Sequence, residues 1–353
     1  MVFSLKRYDQ LAAKSGAKII TIGSSEKGAP IKVLKKGTGR LKILFIARIH
    51  GNEPATTEAL LEFFNENNFD DLELYGIFLA NPDGAALYEE LQQKKPEPYW
   101  ENNFNDARLN SNGVDINRDW MELTQKETQA IQKFILDLRP DFTVDFHEYY
   151  WSDKGYPPKY PYDDEDGFMA TMTDAPFYGA DSYVKELSEQ PMNYLIKKLG
   201  NEFNWKIKPR HFVGEKYNSE YQNPGFLGIY LALRGIPKLL IETWGVACST
   251  LLLDKRIAFH KKAMYYLLEW IRENKIKFFA KNESIREILS FNINNFDTSK
   301  KNIFIGLLDK HRLNYEINND KSVSVHCSSL ETGFVNTIYY LIFEKEEQTN
   351  ETT

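Results

Sequence analysis

Apolar residues in this chain come in short runs that end on polar or glycine-rich turns, and the period within each run separates strands from helices. Leu41 to Ala47 is almost continuously apolar, the pattern of a central strand covered on both faces. Leu72 to Ala80, Phe142 to Phe146 and Lys238 to Thr243 repeat it. Segments of helical period lie between them: 54 to 66, opening on Pro54 where a missing N–H costs nothing, then about 83 to 93 and 253 to 274. Thr124 and Glu127 have the spacing of a capping box and predict a helix running to about Leu138. Residues 1 to 14 read as a short helix; Ile19 to Gly23 and Ile31 to Leu34 read as strands joined by a turn. Further helices are expected over 181 to 203, interrupted near Pro191, and over 226 to 234. Strand, turn and helix alternate, which argues for an α/β sheet with helices on both faces.

Three stretches break the rhythm. Residues 94 to 107 form a polar and aromatic loop, and 149 to 180 hold too many Pro and acidic residues for regular structure over much of their length. So long a loop inside a domain is usually functional or disordered, and its aromatics favour function. After residue 276, SVSVHC and TIYYLIF have β character, and NNFDTSKKN reads as a polar loop. The organisation read from this is a main α/β domain over 1–275, a small β-rich segment over 276–345 and a flexible tail over 346–353.

Composition narrows the function. A net charge of −6 argues against a nucleic-acid binder, which needs a basic face to neutralise phosphates. Cys248 and Cys327 cannot build a disulfide framework or a cysteine metal site, and two free thiols are expected. No apolar stretch reaches membrane-spanning length, and the N-terminus has no signal-peptide core, so a cytoplasmic protein is expected.

Candidate chemistry sits where apolar runs end. His50 closes the first run and Glu53 opens the helix after it, so both can point into one crevice. A second strand delivers His147 to the same sheet edge. Two His and one Glu with an open fourth position is a catalytic zinc set, in which a bound water approaches neutrality in its pKa. Hydrolysis also needs a base, and Glu242 ends the apolar run KLLIE. Arg108 and Arg118 are candidate cations for a carboxylate or an oxyanion. Glu148 would point away from the zinc if strand alternation continues, Asp145 could support His147, and His260 is expected on the polar face of its helix.

HGNEP at 50–54, NPDG at 81–84, RLNSNGVDINRDW at 108–120, DFHE at 145–148 and IET at 241–243 resemble, in order and approximate spacing, the zinc carboxypeptidases related to carboxypeptidase A. The resemblance covers roughly residues 15 to 275. It implies a three-layer α/β/α fold around a mixed, mostly parallel sheet, and one zinc ion held by His50, Glu53 and His147. Glu242 would be general base and acid, Arg108 would stabilise the oxyanion, and Asn117 and Arg118 would grip the substrate's terminal carboxylate. The family's mobile Tyr has three candidates here, Tyr217, Tyr221 and Tyr230, of which Tyr221 is favoured. The implied activity is removal of a C-terminal residue from a peptide or peptide-like substrate with a free carboxylate. A related zinc deacylase acting on N-acyl amino acids, as in the aspartoacylase-like branch, ranks second, and a non-catalytic binding protein on the same fold ranks third. The stretch LGIYLAL offers no charge to select basic terminal residues.

Overall fold

The four apolar runs pair in parallel and form the middle of the sheet. A computed structural model describes residues 4–66, 70–94, 105–149, 169–175, 177, 179–209, 224–246, 250–279 and 285–344. Strands β1 (Lys18–Ser24), β2 (Pro30–Lys36), β3 (Lys42–Ala47), β4 (Glu73–Ile77), β5 (Phe142–Tyr149), β6 (Ala170–Thr173), β7 (Ile207–Pro209) and β8 (Lys238–Trp244) make one eight-stranded sheet. Its order is β1-β2-β4-β3-β5-β8-β6-β7. β4, β3, β5 and β8 are mutually parallel, while β1–β2, β2–β4 and β6–β8 are antiparallel. The chain leaves β3 for β4 on one side and returns to β5 on the other. This reversal opens a crevice at the carboxyl ends of β3 and β5, where α/β sheets bind ligands.

Helices cover both faces, as the alternation of apolar runs requires. α1 (Leu5–Lys14), α2 (Pro54–Glu66), α3 (Pro82–Lys94), α6 (Ser182–Phe203) and α8 (Leu253–Glu273) bury their apolar stripes mainly against one face. α5 (Lys126–Leu138) and α7 (Leu227–Leu233) cover the other; the short helices α4 (Asn105–Arg108) and α9 (Lys275–Phe279) complete this part of the chain. Phe142, Val144 and Phe146 of β5 point toward α2 and α8, as do Leu239 and Ile241 of β8. Strand alternation therefore turns Asp145, His147, Lys238, Leu240 and Glu242 to the opposite face, where they line one cavity.

Local expectations fail at four helices. α6 runs through Pro191 without a break. The capping box at α5 does not form: Gln125 is the N-cap, Thr124 donates to Asp119 (Oγ1–Oδ1 2.6 Å), and Glu127 accepts from Glu26 N at 3.1 Å instead of reaching back. TIYYLIF is helical, within α11 (Thr332–Phe343), because Phe334, Val335 and Ile338 form a buried helical stripe that a short apolar run does not distinguish from a strand. Similarly, NNFDTSKKN contains the start of α10 (Thr298–Lys310), capped by Asp297, which accepts from Lys300 N at 2.9 Å.

The last segment carries β structure, as expected, in three antiparallel strands, β9 (Arg286–Phe291), β10 (Asn314–Ile317) and β11 (Val323–Ser328), in the order β10-β11-β9. Its Phe304, Phe334 and Ile338 join the apolar cluster of Trp120, Ile131 and Tyr230. His311 is fully buried there, donates from Nε2 to Met121 O at 2.9 Å, and has its pKa pushed down to about 3 by burial. Unfolding returns it to about 6.5, so below that pH the unfolded chain takes up a proton the folded chain refuses. Stability is expected to fall as pH drops from about 6.5 toward 3. Urea midpoints for wild type and His311→Gln should converge across that window; parallel pH profiles would show that His311 does not contribute. Cys327 is a buried free thiol, while Cys248 lies outside the described residues. Among the described residues no helix is long and apolar enough to cross a membrane.

Candidate metal centre and active-site cleft

The turn that carries His50 is held by a residue outside the motif. Arg48 has φ of 58°, is fully buried, and lies between the rings of Tyr8 and Tyr88. Its Nε donates to Gly51 O and its Nη1 to Tyr8 Oη, both at 2.9 Å. Gly51 then presses on the second motif. A Cβ there would come within 2.1 Å of Gly84 C, and one on Gly84 would meet Leu109 O at 2.6 Å. Only two glycines allow the HGNEP and NPDG turns to touch. Asn81 accepts from Gly84 N at 2.9 Å and donates to Leu109 O at 3.1 Å, so NPDG positions the backbone beside Arg108.

His50, Glu53 and His147 converge as a buried group whose ligand atoms all lie within 4.8 Å of one another. Glu53 Oε1 lies 2.7 Å from His50 Nδ1, and its Oε2 lies 2.9 Å from His147 Nδ1. The two Nδ1 atoms are 3.1 Å apart. Each far nitrogen faces a carboxylate: His50 Nε2 is 3.1 Å from Asp115 Oδ1, and His147 Nε2 is 2.9 Å from Asp145 Oδ2. A carboxylate accepts only, so Asp115 and Asp145 can hold the ring protons on Nε2 while both Nδ1 lone pairs face the shared centre beside Glu53. Two lone pairs and a carboxylate so arranged repel one another unless a cation lies between them. Tetrahedral zinc at its usual distance from nitrogen sets the two nitrogens about 3.3 Å apart, so the donor set fits zinc. Burial would raise the Glu53 pKa, but the facing His50 and His147 rings hold it well below the usual carboxylate range. For His147, burial pulls the pKa down, and the Asp145 and Glu53 carboxylates push it well above the ordinary histidine value.

Glu242, Arg108, Asn117 and Arg118 line a cavity of about 380 Å³ around this centre. Glu242 is the register partner of His147 across β5 and β8, and its Oε2 accepts from Thr171 Oγ1 at 3.2 Å. Arg108 is anchored by Asp115, whose Oδ2 accepts from Nε at 3.1 Å and Nη2 at 3.0 Å; its Nη1 lies 3.5 Å from Glu53 Oε1. Asn117 Oδ1 accepts from Leu227 N at 3.0 Å and fixes the start of α7, leaving Nδ2 beside His147 at 3.5 Å. Arg118 is half-exposed, with its guanidinium 3.8 Å from the centroid of the Phe226 ring. Tyr217 and Tyr221 lie outside the described residues. Tyr230 faces the core instead, packed on Trp120 and Phe334 and fully buried.

The sequence profile of the zinc carboxypeptidases matches residues 6–225. The chain belongs to the zinc carboxypeptidase family. It is 27% identical over 198 residues to the uncharacterized protein YqgT of Bacillus subtilis, a match covering 39% of this chain and 51% of that protein. The chain thus spans about half the length of this curated relative. A metallo-carboxypeptidase from Burkholderia cenocepacia superposes with a TM-score of 0.56 at 15% identity, over 77% of this chain and 70% of that one. Bovine thrombin-activatable fibrinolysis inhibitor, solved in complex with tick carboxypeptidase inhibitor, superposes with a TM-score of 0.53 at 16% identity, over 76% and 96%. These likenesses carry the fold.

Within this zinc carboxypeptidase-family chain, several residues near the site were not assigned by sequence reasoning. Asp115 is the foremost. Its Oδ1 also accepts from Asn117 N at 2.9 Å, so one carboxylate joins His50, Arg108 and the turn bearing Asn117. The available signal was Asp followed two residues later by Asn in GVDINRDW, a local Asx-type cap. Glu148 does point away from the centre: it accepts from Ala55 N at 2.9 Å and forms a fully buried ion pair with Arg256. Its backbone N–H donates to Glu53 Oε2 at 3.1 Å and so helps orient that ligand. His260 is not on a polar face. It is fully buried, with Nε2 3.0 Å from Thr243 Oγ1, because α8 packs deeply on the sheet.

Proposed function

We propose that the protein is a zinc-dependent metallocarboxypeptidase that hydrolyses the C-terminal amide bond of a peptide. The observation that carries this reading is convergence: a zinc-fitting donor set, a carboxylate on the adjacent strand and fixed cationic and amide donors share one cavity. When bound, zinc would polarise the scissile carbonyl and make water a competent nucleophile near neutral pH. Glu242, on the strand beside His147, would take a proton from the attacking water and return it to the leaving amine. Thr171 Oγ1 bonds one Glu242 oxygen and so helps to orient the carboxylate for that transfer. Arg108, immobilised by Asp115, offers guanidinium N–H groups to the developing oxyanion without reorganising. Asn117 Nδ2 and the Arg118 guanidinium would bind the free carboxylate of the substrate.

The test is a product assay with zinc-loaded protein offered N-acyl dipeptides and, separately, N-acyl amino acids. Release of the terminal amino acid from the dipeptides is expected. Turnover of N-acyl amino acids alone would replace this reading with a deacylase, and equal zinc binding without turnover of either would replace it with a binding protein.

A further inference from the structure

β8 brings a buried cation into the cleft below Glu242. Lys238, Leu240 and Glu242 alternate on the face that lines the cavity, and Lys238 is only 1% exposed. Its Nζ donates to Thr173 O at 3.2 Å. Thr173 is the register partner of Leu240 on β6, so the ammonium lies level with Leu240. That is two residues, or about 7 Å, deeper than Glu242 along the strand. An ammonium carries three donors, and among the described residues this one makes no ion pair and no second hydrogen bond. The Phe177 ring stands 5.1 Å from it. The approach is kept open on the other side by Gly228, where a Cβ would come within 3.2 Å of Nζ.

We infer that Lys238 is the specificity-determining residue of this cleft and selects a terminal residue whose short side chain ends in a carboxylate, such as glutamate. The inference rests on the peptidase reading and names its substrate class. With the terminal carboxylate held near Asn117 and Arg118 and the scissile bond beside Glu242, the terminal side chain is the group that points down the cavity. A side-chain carboxylate there would meet an ammonium that lacks an ionic partner, in a wall of low polarity. The nearby carboxylates act on Lys238 from beyond ion-pair distance: Asp174 acts most strongly, Asp145 faces His147 Nε2, and Glu242 accepts from Thr171. Burial lowers the Lys238 pKa to about 8 against the pull of Asp174, Asp145 and Glu242, so the cation persists at neutral pH but is poorly solvated. A ligand carboxylate relieves that cost, whereas an amide or an ammonium in the same place does not.

The experiment uses zinc-loaded protein and N-acyl dipeptides that differ only in a terminal Glu, Gln or Lys. A charge-assisted hydrogen bond to a buried cation predicts kcat/KM about 10- to 100-fold higher for Glu than for Gln. In Lys238→Met, of similar length and uncharged, that ratio should fall to about one. Equal rates for Glu and Gln in wild type, or preference for Lys, overturns the inference. Calorimetric binding of free glutamate and glutamine to the same protein reads the pocket without turnover. Tighter glutamate binding that is lost in Lys238→Met supports it even if no dipeptide is cleaved, an outcome that would fail the peptidase reading alone. Equal or undetectable glutamate binding overturns it.

Discussion

Glu242→Gln is expected to lower kcat by about 10²- to 10⁴-fold while leaving the fold and the zinc content unchanged. The amide is isosteric with the carboxylate, so Thr171 Oγ1 can still donate to a retained oxygen and the side chain keeps its place beside His147. What the variant lacks is a group that can take a proton from water and deliver it to the leaving amine. KM should change little, because Glu242 is not among the groups proposed to bind the terminal carboxylate. Steady-state kinetics with parallel zinc analysis and circular dichroism make the measurement. A variant with kcat within about threefold of wild type would remove Glu242 from its role.

Asp115→Asn is expected to weaken zinc binding by about 10- to 100-fold and to lower activity further once zinc is saturating. The two losses have separate causes. Asp115 faces His50 Nε2 with one oxygen and the Arg108 guanidinium with the other, and both partners are donors. An amide offers one acceptor and one donor group, so whichever way it turns, an N–H faces an N–H. If the mismatch falls on His50, its tautomer and orientation loosen and zinc is lost. If it falls on Arg108, the guanidinium leaves the edge of Glu53 and the oxyanion loses its partner. Asp145→Asn is the informative control, since Asp145 faces His147 but anchors no arginine. It should weaken zinc binding and recover activity at saturating zinc. Chelator competition measures the first quantity, and kcat/KM in excess zinc the second. Unchanged zinc affinity in both variants would show that these carboxylates do not orient the histidines.

The parts of the site that could be read from sequence are those attached to periodic elements. His50 and Glu53 bracket a strand-to-helix turn, and His147 and Glu242 sit near the ends of apolar runs, so their location at one sheet edge follows from the runs themselves. The parts that could not be read are contacts between segments far apart in sequence. Gly51 against Gly84, Arg48 between Tyr8 and Tyr88, and Glu148 against Arg256 are each set by packing, and no local pattern announces them. The misjudged His260 has the same origin. His260 lies in an amphipathic helix, and which face of a helix is buried depends on which helices and strands surround it.

Taken by itself, the sequence determined an α/β sheet covered by helices on both faces and the identity of the residues able to hold zinc. Those follow from the period of apolar residues and from donor chemistry, which are local properties. Tertiary structure alone decided how the donors face one another, because strand order and register are set by long-range pairing. Register placed Glu242 beside His147 and Lys238 beneath them both, on the same face of one strand. In the sequence Lys238 is one lysine before an apolar run; in the fold it is a buried cation at the floor of the cleft, because β6, Phe177 and Gly228 enclose it.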